Sequence, residues 1–511
     1  MAIRCGGRSR PFSRLSQGRR RVYTEASSLH SFLSESGCPS PGLIFFPQQQ
    51  RTVMKALVAV ALLGLALPLA AQQVTVASPA AARLRVTTTS EEASRQFFAG
   101  VSDARNLFFT RAVTHFDKAL EVDTNLGLAR AFRAAVAPGF TQAERVATID
   151  SAIAKMSSAT TAERVVALAL REFPDKVRAH ALWETAVTLL PGDPNVAFYA
   201  ALTAPAPGAV AAIRAVTERF PDDAAAFNIL AYQLWQAGDH DAALTAVRRY
   251  VELAPDQPNA QDSYAELLQW SGRSSEAQAH YARSVQLDAS FSEAYMGSAE
   301  LAQLSGRGSE ARRQIQLAIT HSPSREATVT YTRNVARSFL MDGMVKEGME
   351  QFAAALKGAQ ALNRPKLIAQ IHQDMAIADA QLGRSTDIAS HVAAAAQAGG
   401  AEDPMQIEIT AAANALAGDT NVARQAIQKL TALAQPDNQY ATRTSVMRAL
   451  IALRANKPAE ALTQLQGAPL DDPWVRTLTA ECYLATGNVA DARALKNQVL
   501  NDPQLNFDDA Y

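Results

Sequence analysis

Apolar and small residues recur at helical spacing through most of this chain, and between Asp222 and Pro323 the pattern repeats in register every 34 residues. In the first of three units Phe227, Leu230, Ala231 and Leu234 share one helical face, and after Gly238 a second set follows in Ala243, Val247 and Tyr250. Each unit is therefore expected to be two amphipathic helices. Ala231, Ala265 and Ala299 stand 34 apart, as do Gly238, Gly272 and Gly306, and Ala243, Ala277 and Ala311. The glycine stops the first helix, because a left-handed residue there meets no Cβ clash. Pro255 and Pro323 stop the second helix in two of the units, with Ala289 holding the place between them. The alanines are small because two antiparallel helices approach closely only over little more than a methyl group.

A 34-residue helix–turn–helix period with small residues at these places resembles the tetratricopeptide repeat. The resemblance covers Ser90 to Pro503 and is most specific over residues 222–323, which read as three regular units. It implies an all-α fold, a helix-turn-helix solenoid wound as a right-handed superhelix of about 11–12 helical hairpins. In such an array each hairpin touches only its neighbours, and the first helices line a concave face. The repeat itself names no activity, since it is a scaffold put to many uses.

On either side the pattern drifts. Residues 90–221 read as divergent hairpins: Ser90 caps a helix with Glu91 and Glu92 in its first turn, and Phe97, Phe98 and Val101 lead on to Ala112, Phe116, Ala119 and Leu120. Between 124 and 221 the helical runs are punctuated by Pro174, Pro191, Pro194, Pro205, Pro207 and Pro221. Two readings fit that stretch, three divergent hairpins or an insert packed across the groove. Residues 324–503 read as degenerate units. Gly343, Gly383, Gly418 and Gly487 each stand five before a position expected to be small, occupied by Gly348, Ile388, Ala423 and Ala492, and Asn456-Lys457-Pro458 is the turn of a unit without its glycine. The tail, 504–511, is expected to fray.

The start of the chain has another character. Residues 1–53 hold Arg4, Arg8, Arg10, Arg14, Arg19, Arg20 and Arg21 among Ser, Gly and Pro, and read as a disordered basic arm or as an over-extended start. Met54 and Lys55 then open a dozen apolar residues, Ala56 to Leu67, closed by Pro68-Leu69-Ala70-Ala71. That is the layout of a secretory signal peptide over 54–71, with a membrane anchor as the rival reading. The chain is accordingly expected to be exported to the periplasm or cell envelope, or secreted, with residues 72–89 as a linker and no stable membrane span after processing.

Charge narrows the classes of partner. The whole chain balances 49 basic against 49 acidic residues, but without residues 1–71 it holds 40 against 47. An acidic chain argues against phosphate-backbone contacts, so no nucleic acid is expected. Cys5 and Cys38 precede the processing point and leave Cys482 alone, a small core residue by this reading. Catalytic, cofactor and metal sites are not expected: there is no His-Glu-x-x-His, no Cys-x-x-Cys, no phosphate-cradling glycine loop, and the histidines are scattered about one per hairpin.

A partner-binding face can still be laid out by arithmetic. With Phe227, Leu230, Ala231 and Leu234 committed to packing, Asn228, Tyr232 and Trp235 form a separate stripe, and steps of 34 add Asp262, Glu266 and Gln269, then Met296, Glu300 and Gln303. Its aromatic end and acidic middle suit a protein or peptide with apolar and basic side chains. It lacks the Lys and Arg by which some tetratricopeptide-repeat proteins clamp a C-terminal carboxylate. Trp235 and Trp270 are 35 apart, so they hold adjacent positions, and each is groove or inter-repeat core. An adaptor or assembly role follows from this face. Two other readings are a structural solenoid that self-associates end to end into a homo-oligomer, and a binder of an exported small molecule or polysaccharide.

Overall fold

Gly238, Gly272 and Gly306 take φ values of 83°, 78° and 71°, the left-handed region expected at the end of a first helix. At the first of these turns the Gly238 N–H donates to the Trp235 carbonyl at 3.0 Å and the Asp239 N–H to Leu234 at 2.9 Å, which satisfies carbonyls the helix leaves open. The same conformation recurs at Gly343, Gly383, Gly418 and Gly487, and Asn456 takes it at φ 59° where the unit has no glycine.

The computed structural model describes residues 82–137, 140–173, 175–433, 439–470, 472–500 and 502. The basic arm, the signal segment, residues 72–81 of the expected linker and the tail 504–511 lie outside the described residues. Those described form 24 helices and no strand.

The helices pair as consecutive antiparallel hairpins. The first four are α1 (Glu91–Arg105) with α2 (Phe109–Val122), α3 (Gly127–Val136) with α4 (Gln142–Ala154), α5 (Thr161–Arg171) with α6 (Lys176–Leu189), and α7 (Pro194–Leu202) with α8 (Ala206–Arg219). The regular units follow as α9 (Ala224–Gln236) with α10 (His240–Leu253), α11 (Pro258–Trp270) with α12 (Ser274–Leu287), and α13 (Ser292–Leu304) with α14 (Gly308–Thr320). Five more complete the array: α15 (Arg325–Met341) with α16 (Val345–Ala361), α17 (Pro365–Gln381) with α18 (Ser385–Gly399), α19 (Pro404–Ala417) with α20 (Thr420–Leu433), α21 (Gln439–Arg454) with α22 (Pro458–Leu465), and α23 (Pro473–Ala485) with α24 (Val489–Leu500). The fold is thus an all-α solenoid of twelve hairpins, and the proline-rich stretch contributes three of them, α3 to α8.

Sequence explains where the helices begin. Ser90 accepts the Ala93 N–H, and Thr141 and Thr160 each form a capping box with the glutamate three residues on. Packing explains why the hairpins are tight. Ala231, Ala243, Ala265, Ala277, Ala299 and Ala311 are all wholly buried, so helix backbones meet over methyl groups. First helices of several successive hairpins touch, as α11 does α13, α17 does α19 and α19 does α21, whereas among the described residues no two second helices pack to a comparable extent. The first helices therefore line the inner side of the curve.

Contacts are not confined to neighbours, contrary to what the repeat implies. Residues 82–88 run along the ends of later hairpins: the Gly192 N–H donates to the Ala82 carbonyl at 2.8 Å, the Leu84 N–H to the Asp193 carboxylate at 2.8 Å, and the Thr87 N–H and hydroxyl to Glu163 at 2.7 and 2.6 Å. The turn between α1 and α2 crosses further still. Arg105 reaches Asp223, Tyr250 donates to Asn106 at 3.2 Å, and the Phe108 ring lies 5.8 Å from that of Phe291. A 34-residue period encodes only how one unit meets the next, so these crossings have no signature in it.

Candidate partner-binding face

The stripe laid out from the sequence falls on three consecutive first helices, α9, α11 and α13. Its nine residues divide by what they touch. Tyr232 on α9 donates its hydroxyl to the Glu266 carboxylate on α11 at 2.5 Å, one repeat away. Both are half-buried, as is Glu300. Gln269 accepts from the Tyr281 hydroxyl at 3.1 Å, and Gln303 donates to Asp342 at 3.1 Å while accepting from the Ser338 hydroxyl at 2.7 Å. The two glutamines are thereby tied into the packing between helices. Met296 packs with Tyr295, Ala299 and Ile315.

Trp235 is buried, stacked on His240 at 4.1 Å between ring centroids and 5.6 Å from Trp270. Trp270 is the more exposed of the two indoles and also meets the Tyr232 ring at 5.9 Å. One position of offset is enough to turn one ring inward and leave the other at the edge.

Two polar members of the stripe are buried residues that lack hydrogen bonds on a side-chain oxygen among the described residues. Asn228 is 2% exposed and its side-chain oxygen accepts no hydrogen bond among the described residues. Asp262, the next residue in the same register, is 5% exposed and has no hydrogen bond or ion pair with any described residue. Burial holds its carboxyl well above the usual carboxylate range, and the charges of Glu266 and Glu293 push it further. Burial likewise raises Glu293, although its own backbone N–H and the Ser292 hydroxyl act against the shift. The phenols of Tyr232 and Tyr281 rise for the same two reasons, burial first and the neighbouring carboxylates after it.

Glu293 and Tyr331 belong to this environment and were missed from the sequence. Glu293 stands three residues before Met296, one helical turn along the same face of α13, so extending the stripe by a turn finds it. The Tyr331 hydroxyl lies 2.9 Å from that of Ser292. It sits on α15, where the 34-residue step has already slipped.

Elsewhere in the array two scattered histidines meet. His372 Nδ1 lies 3.0 Å from His391 Nδ1, and His391 Nε2 faces Asp379 at 3.5 Å. Among the described residues no group of three side chains has the arrangement of a metal site, and no helix is long and apolar enough to cross a membrane. Cys482 is wholly buried, and burial pushes its thiol up to about 11.

A tetratricopeptide-repeat family model matches residues 206–258, the end of the divergent region and the first regular unit. No curated protein matches the chain significantly. Among solved structures, the chain is similar to the pilF protein of Pseudomonas aeruginosa (17% identity, 42% of this chain and 94% of that one, TM-score 0.32). A thermophilic tetratricopeptide-repeat protein of Thermus thermophilus aligns at 20% identity over 35% of this chain and 100% of its own, with a TM-score of 0.31. The human IFIT1 dimer with PPP-AAAA aligns at 13% identity over 81% of this chain and 95% of that one, with a TM-score of 0.41. The matched family model identifies residues 206–258 as tetratricopeptide repeat, and the repeating register and the hairpins show the solenoid fold that such repeats build.

Proposed function

We propose that the chain is a scaffold that binds a protein or peptide on the inner face of α9, α11 and α13 and serves as an adaptor or assembly factor of the cell envelope. The observation that carries the reading is the pair Asn228 and Asp262. Positions that face the inside of a helical stack are normally apolar or fully hydrogen-bonded, because an unmet buried polar atom is destabilising. Here one unit carries a buried acceptor with no hydrogen bond, the Asn228 side-chain oxygen, and the next carries the buried Asp262, which has no hydrogen bond or ion pair with a described residue, at the register where a ligand laid along the groove would meet them. The half-buried Tyr232, Glu266 and Glu300 flank them and offer contact area and charge.

The envelope location rests on the signal-peptide layout of residues 54–71. Mass spectrometry of the intact exported chain tests it: a start near Gln72 supports export with cleavage, and Met1 or Ala2 on the exported form refutes that processing. For the scaffold role, a photo-crosslinking residue at position 232 followed by mass spectrometry of captured material is decisive. Capture of one distinct protein supports an adaptor. Capture of this chain alone replaces the adaptor with a self-assembling solenoid.

A further inference from the structure

We propose that Asp262, together with Glu293 on the next first helix, is a receptor for a single cationic side chain, the ammonium of lysine or the guanidinium of arginine, presented by an extended peptide on the inner face. The inference rests on the peptide-binding reading of that face and specifies what the peptide must carry.

The argument begins with how this protein treats its other buried acids. Taken as whole residues, six acids among the described residues are more than nine-tenths buried: Asp103, Glu163, Asp193, Asp262, Asp374 and Asp379. Asp103 pairs with Arg111, and Asp374 lies between Arg333 and Arg337. Glu163 and Asp193 accept backbone N–H groups from residues 82–88 and from helix starts. Asp379 accepts no hydrogen bond among the described residues but has the cations His391 at 3.5 Å, when protonated, and Arg384 at 3.8 Å. Asp262 alone has neither a hydrogen bond nor an ion pair with a described residue. A buried carboxylate in that condition is costly, and a fold that sets a cation or a hydrogen-bond donor beside each of the five others has kept this one open.

What surrounds Asp262 selects the sign and shape of the missing partner. The charged groups felt at its carboxyl are Glu266 and Glu293, both acidic. Contact between α11 and α13 brings the two acids onto neighbouring walls of one face, since Glu293 stands one turn from Met296, the residue in register with Asp262. A cation is therefore favoured and an anion is repelled. Asp262 is 5% exposed, whereas Tyr232 and Glu266, bonded to each other across α9 and α11, are half-buried. Reaching it calls for a charge at the tip of a slender apolar stem, which is the build of a lysine or arginine side chain. A bare metal ion fits less well, because no group of three ligating side chains forms among the described residues.

Isothermal titration of the full chain with two capped nonapeptide probes tests this. One alternates leucine and lysine, and the other has glutamine at every lysine. The expected result is at least tenfold tighter binding of the lysine peptide, with that preference lost in Asp262→Asn and kept in Glu276→Gln, which removes an exposed acid from α12. Preference that survives Asp262→Asn shows diffuse attraction to an acidic surface and overturns the receptor. Equal binding of both peptides also overturns it while leaving the peptide-binding face intact. Binding of neither peptide removes both readings. Circular dichroism of Asp262→Asn establishes that its loss of preference comes from a folded chain.

Discussion

Arg105 and Asp223 stand 118 residues apart and form a buried ion pair, with the guanidinium donating to both carboxylate oxygens at 2.6 and 2.5 Å. Their side chains are 10% and 7% exposed. Arg105 also donates to Asn195 at 2.9 Å and lies over the Phe198 ring at 4.3 Å, while Asp223 at the same time caps the start of α9. One turn of the first hairpin is thereby fastened to the edge of the fourth and fifth hairpins. A stack that would otherwise cohere only between neighbours gains a closure across its N-terminal half.

Replacing Arg105 with leucine should be strongly destabilising, because it strands the Asp223 carboxylate in a buried site. Breaking such a pair from one side costs about 3–5 kcal/mol. Hydrogen exchange should show the loss concentrated in α1 and α2 and in the edge of α7 and α9, with α21 to α24 unchanged. Uniform loss along the array would mean that the hairpins unfold as one unit and that the crossing is not a local fastening.

The repeat register can be tested through size alone. Ala277 is wholly buried where α12 meets α11, so Ala277→Trp should overpack the middle of the regular units and lower stability by roughly 1–3 kcal/mol. Arg273, at the start of the same helix, is partly exposed and pairs with the exposed Glu276, so Arg273→Ala should leave the melting temperature nearly unchanged. Equal shifts in a thermal melt would refute the alignment of the units.

Gly297 carries a constraint of a different kind. A Cβ there would lie 2.3 Å from the Tyr281 ring, and that ring is 1% exposed and held through its hydroxyl to Gln269. The ring cannot step aside without giving up that bond, so Gly297→Ala should destabilise by about 1–3 kcal/mol although alanine favours helix. The double substitution Gly297→Ala with Tyr281→Leu should recover part of the loss in urea denaturation. No recovery would show that the clash is relieved elsewhere.

These residues also show what was legible before the structure. Gly238 and its counterparts announce themselves because a left-handed turn and a helix stop demand the same residue at a fixed interval, and the buried alanines do so because close helix approach demands small side chains at a fixed interval. The stripe from Asn228 to Gln303 was readable by the same arithmetic, yet the arithmetic could not divide it. Gln269 and Gln303 are consumed by bonds to Tyr281, Ser338 and Asp342, partners that stand 12, 35 and 39 residues away and obey no common step. Arg105 with Asp223 was unreadable for the stronger reason that curvature of the whole stack, summed over several hairpins, decides which distant residues meet.

Asp262 should make stability depend on pH in a direction opposite to that of most acids. Its carboxyl is raised in the folded chain by burial and by Glu266 and Glu293, so the folded state holds the proton to higher pH than the unfolded state, where the group titrates at about 3.9. The stabilising contribution is complete below that unfolded value and is lost as pH rises through the raised folded one. At neutral pH the wild type therefore carries an unfavourable term that Asp262→Asn lacks. The variant should be more stable by roughly 1–2 kcal/mol at pH 7.5, and its advantage should shrink toward pH 4. Tyr232, Tyr281 and Tyr331 share the environment, but burial raises each phenol, so they stay protonated across this range. Thermal melts of both proteins between pH 4 and pH 8 read the difference directly. A variant less stable than wild type at pH 7.5 would show that Asp262 is held by a favourable contact, and the idea of an open acid kept for a cationic partner would fall with it.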